Sequence, residues 1–127
     1  MSEYSIIKKG IFDSARSDFP FADQYIIARK DDKKLLLVRI FNPLDKTVDG
    51  VKVSVKTFDK DGQVVSEDMF SYVLTCSGMS RAPLPQEIQI DEKVVSCEVE
   101  VKSVACNGDT LTVSGKRVRP VYDDAFS

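Results

Sequence analysis

Ser5 and Lys8 stand in the run Ser5-Ile6-Ile7-Lys8, the Ser-x-x-Lys spacing that brings a lysine amine to a serine nucleophile. In penicillin-recognising enzymes that motif opens a helix inside a much larger α/β domain, accompanied by further motifs that this sequence lacks. Histidine is absent, which removes the commonest general base and metal ligand together with the Ser-His-Asp and Cys-His arrangements. Cys76, Cys97 and Cys106 offer three thiolates for zinc, with a carboxylate such as Asp109 as a fourth ligand. Structural zinc sites usually draw on close CxxC pairs, and there is none here. Free cysteine is among the most buried residue types, so core packing is the expected role, plainest for Cys97; Cys76 and Cys106 are expected nearer the surface.

Asp59-Lys60-Asp61-Gly62 has the look of a calcium loop. Placing Gly62 at the sixth loop position puts Thr57 at the first and Asp68 at the twelfth, where Asp and a bidentate Glu are needed, so a hairpin is the expectation. Asp31, Asp32, Asp91, Glu92, Asp123 and Asp124 all fall in turn-like or terminal segments, where solvated charge is the ordinary role of a carboxylate. The expectation is a chain that is not an enzyme and uses no metal or cofactor.

Binding surfaces are a different matter. In Lys116-Arg117-Val118-Arg119, strand alternation puts Arg117 and Arg119 on one face, without an aromatic side chain in that strand to stack a base. The formal charge of −2, from 18 basic and 20 acidic residues, supplies no global field toward phosphates, so nucleic acid is not the expected partner. Phe19-Pro20-Phe21 is apolar and lies outside the strand pattern; it reads as a cap on an open end of the fold, with partner docking as the alternative. The segment 77–85 joins Met79, Arg81, Pro83, Leu84 and Pro85, combining residue types common in interfaces with a backbone restricted by two prolines. Phe19, Phe21, Met79, Arg81, Leu84, Arg117 and Arg119 are therefore the candidate partner-binding residues.

The elements that would position them are short strands broken by turn residues. Residues 24–29 and 35–42 read as strands flanking a charged tip, Lys30-Asp31-Asp32-Lys33-Lys34, expected to stay in water. Residues 51–59 alternate, with Val51, Val53, Val55 and Thr57 on one face and Lys52, Ser54 and Lys56 on the other. Residues 63–74 return, with a bulge or bend near Glu67-Asp68 and an alternation of Phe70, Tyr72 and Leu74 against Ser71, Val73 and Thr75. Residues 87–90 form a short strand, residues 95–101 turn Val95, Cys97, Val99 and Val101 inward, and Asn107-Gly108 joins them to a strand over 110–118. Residues 1–23 read as irregular, with one helical turn starting at Asp13 or Ser14, and residues 120–127 as a frayed tail.

The run from Asn42 to Val65 carries an asparagine after a strand, a turn, alternating valines, the aromatic-Asp pair Phe58-Asp59 and a hairpin centred on Gly62. It resembles the bacterial FxLYD-type domains, with Thr57 in place of the motif's leucine and Phe58 where tyrosine is usual. The resemblance implies an immunoglobulin-like antiparallel β-sandwich and names no functional residue. At 127 residues the expectation is one all-β domain of about 7–8 strands. Neither a signal peptide nor a membrane-spanning stretch is legible, and three cysteines are an odd set for a disulfide framework, which together point to a cytoplasmic protein. The expected role is a non-catalytic protein-binding or assembly module that presents end loops or an edge strand to a partner protein or to a second copy of itself. A weak nucleic-acid or small-ligand binding domain is one alternative, and an enzyme of unrecognised type is the other.

Overall fold

The computed structural model describes residues 4–12 and 18–112. Among these the strands are β1 (Ser5–Ile11), β2 (Phe21–Lys30), β3 (Lys33–Asn42), β4 (Val48–Phe58), β5 (Val64–Cys76), β6 (Ser80–Pro83), β7 (Ile88–Gln89), β8 (Ser96–Cys106) and β9 (Asp109–Thr112). All pairings are antiparallel. One sheet runs β1-β2-β3-β6, with β7 also pairing along β3; the other runs β5-β4-β8-β9. The two sheets pack as a β-sandwich, the fold class expected from the strand pattern.

Alternation builds the core. Tyr25, Ile27, Leu36, Val38 and Ile40 point inward from the first sheet, meeting Val51, Val53, Val55, Cys97, Val99 and Val101 from the second. The valines suit this arrangement because a branched Cβ packs well on a pleated surface and restricts its own rotamers there. Thr57 takes the inward position expected of it and satisfies its hydroxyl on Ser66 Oγ at 2.6 Å.

Turn chemistry sets the hairpins. Lys30 pairs with Lys33, so Asp31 and Asp32 form a two-residue turn with φ of 53° and 64°. Asn107 and Gly108, at 49° and 85°, do the same between Cys106 and Asp109, as the Asn-Gly pair predicts. In the β4–β5 hairpin only Gly62 has positive φ, and Asp59 Oδ1 accepts from the amides of Asp61 and Gln63. That carboxylate therefore braces a turn, as the hairpin reading requires.

Several expectations need correction. The N-terminal region read as irregular contains β1, and β2 begins at Phe21 rather than residue 24. A register shift between Ile6 and Lys8 breaks the apolar alternation there and hides the strand. Gly10 pairs with Tyr25 in β1, and the position requires glycine because a Cβ there would sit 2.5 Å from the Tyr25 ring. The helical turn placed at Asp13 or Ser14 and the tail over 120–127 lie outside the described residues. Lys34 is not at a solvated tip: it is buried, and its Nζ donates to the carbonyls of Glu92 and Val94, both at 2.7 Å. The expected bend at Glu67-Asp68 is absent, because these residues pair in register with Lys56 and Val55; the shifts fall nearer the two ends of β5. Val94 is fully buried while Val95 is half-buried, and β8 continues to Cys106. A shift opposite Lys52 and Val53 leaves Lys102 as an extra residue, which resets the parity so that Val104 and Cys106 face inward. Cys76 and Cys106, expected near the surface, are both buried.

Candidate interaction face

The segment 77–85 is part of a sheet rather than a free loop. Its residues Ser80–Pro83 form β6 against the end of β3, and the amide of Leu84 donates to the Val38 carbonyl at 2.8 Å. Pro83 and Pro85 limit this strand to a short edge, the position in a sheet that tolerates missing donors. The register then sets Arg81 beside Phe41, and Phe41 beside Phe21 on its other flank. These three residues make one row across β6, β3 and β2 on the face turned away from the core.

The row is organised by Asp23. This residue is the extra one at the register shift between Ala22 and Gln24, so the bulge aims its carboxylate over the outer face. Arg39 donates to it side-on, Nε to Oδ1 at 3.0 Å and Nη2 to Oδ2 at 2.9 Å. Arg81 adds Nε to Oδ2 at 2.9 Å, and its guanidinium lies 4.9 Å from the centroid of the Phe41 ring. Phe41 in turn packs against Phe21, with centroids 5.6 Å apart. Two guanidinium cations share one carboxylate, so the group carries a net positive charge. The Asp23 side chain is 13% exposed, those of Arg39 and Arg81 41% and 57%. Among the described residues neither Nη atom of Arg81 has a hydrogen-bond partner, so its end-on fork faces solvent while its Nε and its ring face fix it in place.

The remainder of this face is largely apolar. Ile6, Ala28 and Leu35 align in one row across β1, β2 and β3, continued by Gln89 of β7. Ala28, Leu35 and Phe21 are buried yet lie outside the core cluster. Tyr4, at the β1 edge, donates from its hydroxyl to Glu87 Oε2 at 2.5 Å, with Lys30 Nζ 4.9 Å from its ring centroid. Glu87 precedes β7 at the opposite edge, so the Tyr4 side chain spans the sheet across the row that holds Ala28 and Leu35.

The residues expected to bind a partner divide sharply. Arg81 is part of the cluster, and Phe21 packs beside the Phe41 ring on which Arg81 lies. Phe19 and Leu84 belong to the buried core, where packing accounts for both side chains. Met79 is 66% exposed and holds a φ of 59° at the β5–β6 corner, about which the arginine cluster is not built. Arg117 and Arg119 lie outside the described residues. Sequence reading missed Asp23, Arg39 and Phe41. The available signal was the lone arginine in the apolar run Leu35-Leu36-Leu37-Val38-Arg39-Ile40-Phe41, since a charge there must point outward and find a partner.

The groups considered for chemistry are placed differently. Ser5 and Lys8 lie along β1, not at the start of a helix, and Lys8 Nζ donates to the Val95 carbonyl at 2.9 Å. The thiols of Cys76, Cys97 and Cys106 are all pushed up from the ordinary value by burial. Among the described residues no group of three or more Cys, Asp or Glu side chains is arranged to hold a metal ion, and no helix is long and apolar enough to cross a membrane. Compared with known proteins, the chain matches no family model, no curated protein and no solved structure.

Proposed function

We propose that this chain is a non-catalytic protein-binding module that captures an acidic segment of a partner protein on the outer face of the β1-β2-β3-β6 sheet. The single observation that carries the reading is the posture of Arg81: Nε on Asp23, guanidinium on Phe41, and the Nη fork open to solvent. A long arginine side chain ordinarily loses rotamer freedom on binding, and one already held in place loses less. The fork matches the two oxygens of a carboxylate, and the half-buried Phe41 and Leu37 side chains offer apolar contact beside it. The strand order supports the immunoglobulin-like reading of the sandwich. The chain crosses between sheets at β3–β4, β5–β6 and β7–β8, and the β5-β4-β8-β9 sheet faces one formed from β2, β3 and β6. The FxLYD-type resemblance fits the same arrangement, since Asn42 and Gly62 occupy the corner and hairpin that the motif describes.

The test is fluorescence anisotropy with peptides that carry Glu residues beside an aromatic residue, set against the same peptides with Gln for Glu. Acidic peptides should bind in preference, with affinity falling as salt rises. Arg81→Ala should weaken binding about tenfold, equivalent to about 1.4 kcal/mol, and Arg81→Lys should not restore it, because an ammonium has no fork. Equal binding of the Glu and Gln peptides would sink the proposal, as would preferential retention of a single-stranded oligonucleotide.

A further inference from the structure

β5 is an edge of the four-stranded sheet, and the side of its backbone away from β4 has no strand paired to it among the described residues. An open edge is a template for another strand, and proteins usually blunt it with bulges, lysines, prolines or brevity. The edges of the other sheet carry such devices. β1 has its register shift together with Lys8 and Lys9, β6 is four residues long and ends at Pro83, and β7 is two residues long. β5 pairs with β4 without interruption from residue 66 to residue 73, and contains no proline, glycine, lysine or arginine.

The middle of this strand reads Met69-Phe70-Ser71-Tyr72-Val73. In chemical class it is a palindrome about Ser71: apolar, aromatic, serine, aromatic, apolar. When two identical strands pair antiparallel about a two-fold axis at one residue, the residues before it meet those after it, on the same face of the sheet. An axis at Ser71 sets Met69 against Val73 of the second copy on the outer face, and Phe70 against Tyr72 on the inner. Met69 and Val73 are 53% and 88% exposed, large values for apolar side chains lying in a regular strand. Phe70 and Tyr72 stack with centroids 6.2 Å apart and are half-buried at the seam of the sandwich, where a second copy would complete their cover.

Charge and the matched residue classes about Ser71 together select the register. Opposed residues must share a face, so the axis has to fall on a residue, and an axis at Glu67 or Asp68 would press like carboxylates together. An axis at Phe70 sets Glu67 against Val73 and Asp68 against Tyr72. The Ser71 axis instead carries both carboxylates to the rim, beside Leu74 and Thr75, where the register shift near the end of β5 closes the regular ladder. We infer that β5 pairs with β5 of a second copy of this chain, antiparallel about an axis at Ser71, joining the two β5-β4-β8-β9 sheets into one continuous sheet. This contact uses the opposite sheet from the arginine cluster and does not depend on it.

Site-directed cross-linking with sedimentation tests the pairing. The axis sets residue 71 against itself, so Ser71→Cys should form a covalent dimer with a short bis-maleimide. Ser54→Cys, one strand further in on β4, should not. Met69→Cys mixed with Val73→Cys should yield the mixed dimer, with neither forming a dimer alone. Unmodified protein should approach twice the monomer mass by sedimentation at concentrations up to ~1 mM, the range in which a small interface associates. Val73→Lys, at a position exposed enough to leave the fold intact, should return the monomer mass with an unchanged circular dichroism spectrum. A wild type that stays monomeric across that range, or Ser71→Cys that cross-links no faster than Ser54→Cys, would overturn the inference, whatever the peptides do at Arg81.

Discussion

The side-chain amide of Asn42 donates to the Cys76 carbonyl at 3.0 Å and thereby ties the last residue of β3 to the last residue of β5. The same Nδ2 donates to the Lys46 carbonyl at 2.8 Å and approaches that of Ser77 at 3.3 Å, while Oδ1 accepts from the Leu44 amide. Asn42 is fully buried, so it is the pin of the corner at which the chain passes between the sheets. The neighbouring backbones are close enough that a Cβ on Gly78 would lie 2.7 Å from the Leu44 carbonyl oxygen.

Asn42→Ala should therefore cost about 3 kcal/mol, since it orphans buried carbonyls and an amide at once. Urea denaturation monitored by circular dichroism measures it. Asn42→Asp should be at least as harmful at neutral pH, because a carboxylate cannot donate to three carbonyls, and should recover in part under mild acid. A loss below about 1 kcal/mol for Asn42→Ala would mean that water replaces the amide and that the corner is held by packing alone.

The strands that were legible in the sequence are those whose period of two runs unbroken, such as Val51, Val53 and Val55 in β4. Those misread are the ones in which a register shift resets the parity. Lys102 hid the second half of β8 in this way, and the shift after Ile6 hid β1. The arginine cluster was half legible. Arg81 stood out by type, but its partners Asp23 and Phe41 are distant in sequence and meet it only because β6 lies against β3 and a bulge lifts Asp23 out of β2. Contacts made through pairing order leave no local signature, whereas Asn107-Gly108 announces its turn without help from the rest of the chain.

The second position of the β2–β3 turn holds a residue less suited to it than glycine. Asp31 and Asp32 both hold positive φ, where a side chain is disfavoured and glycine is not. Asp32→Gly should stabilise the protein by about 0.5–1 kcal/mol, raising Tm by a few degrees. The reverse change in the equivalent turn, Gly108→Ala, should destabilise by a similar amount although a Cβ there meets no neighbouring atom. Paired thermal melts of these two variants check the assignment; effects of the same sign would show that turn conformation is not what governs them.

Burial raises the thiols of Cys97, Cys76 and Cys106 and the Tyr25 phenol above their ordinary values. Each is an acid whose neutral form suits the fold. Its contribution is therefore full below the unfolded-state value, 9.0 for a thiol, and is lost as pH rises toward the folded-state value. The urea midpoint should be nearly flat between about pH 6 and pH 8 with respect to these groups, then fall progressively above about pH 9. Native protein should react with a thiol reagent at pH 8 only as fast as it opens, because little thiolate forms and none is accessible. Cys97→Val, which keeps a small apolar group at the most deeply buried of the thiol sites, should flatten the alkaline slope measurably, leaving the share contributed by Tyr25, Tyr72, Cys76 and Cys106. An alkaline slope unchanged by Cys97→Val would assign the loss to the other titrating groups and remove Cys97 from the account.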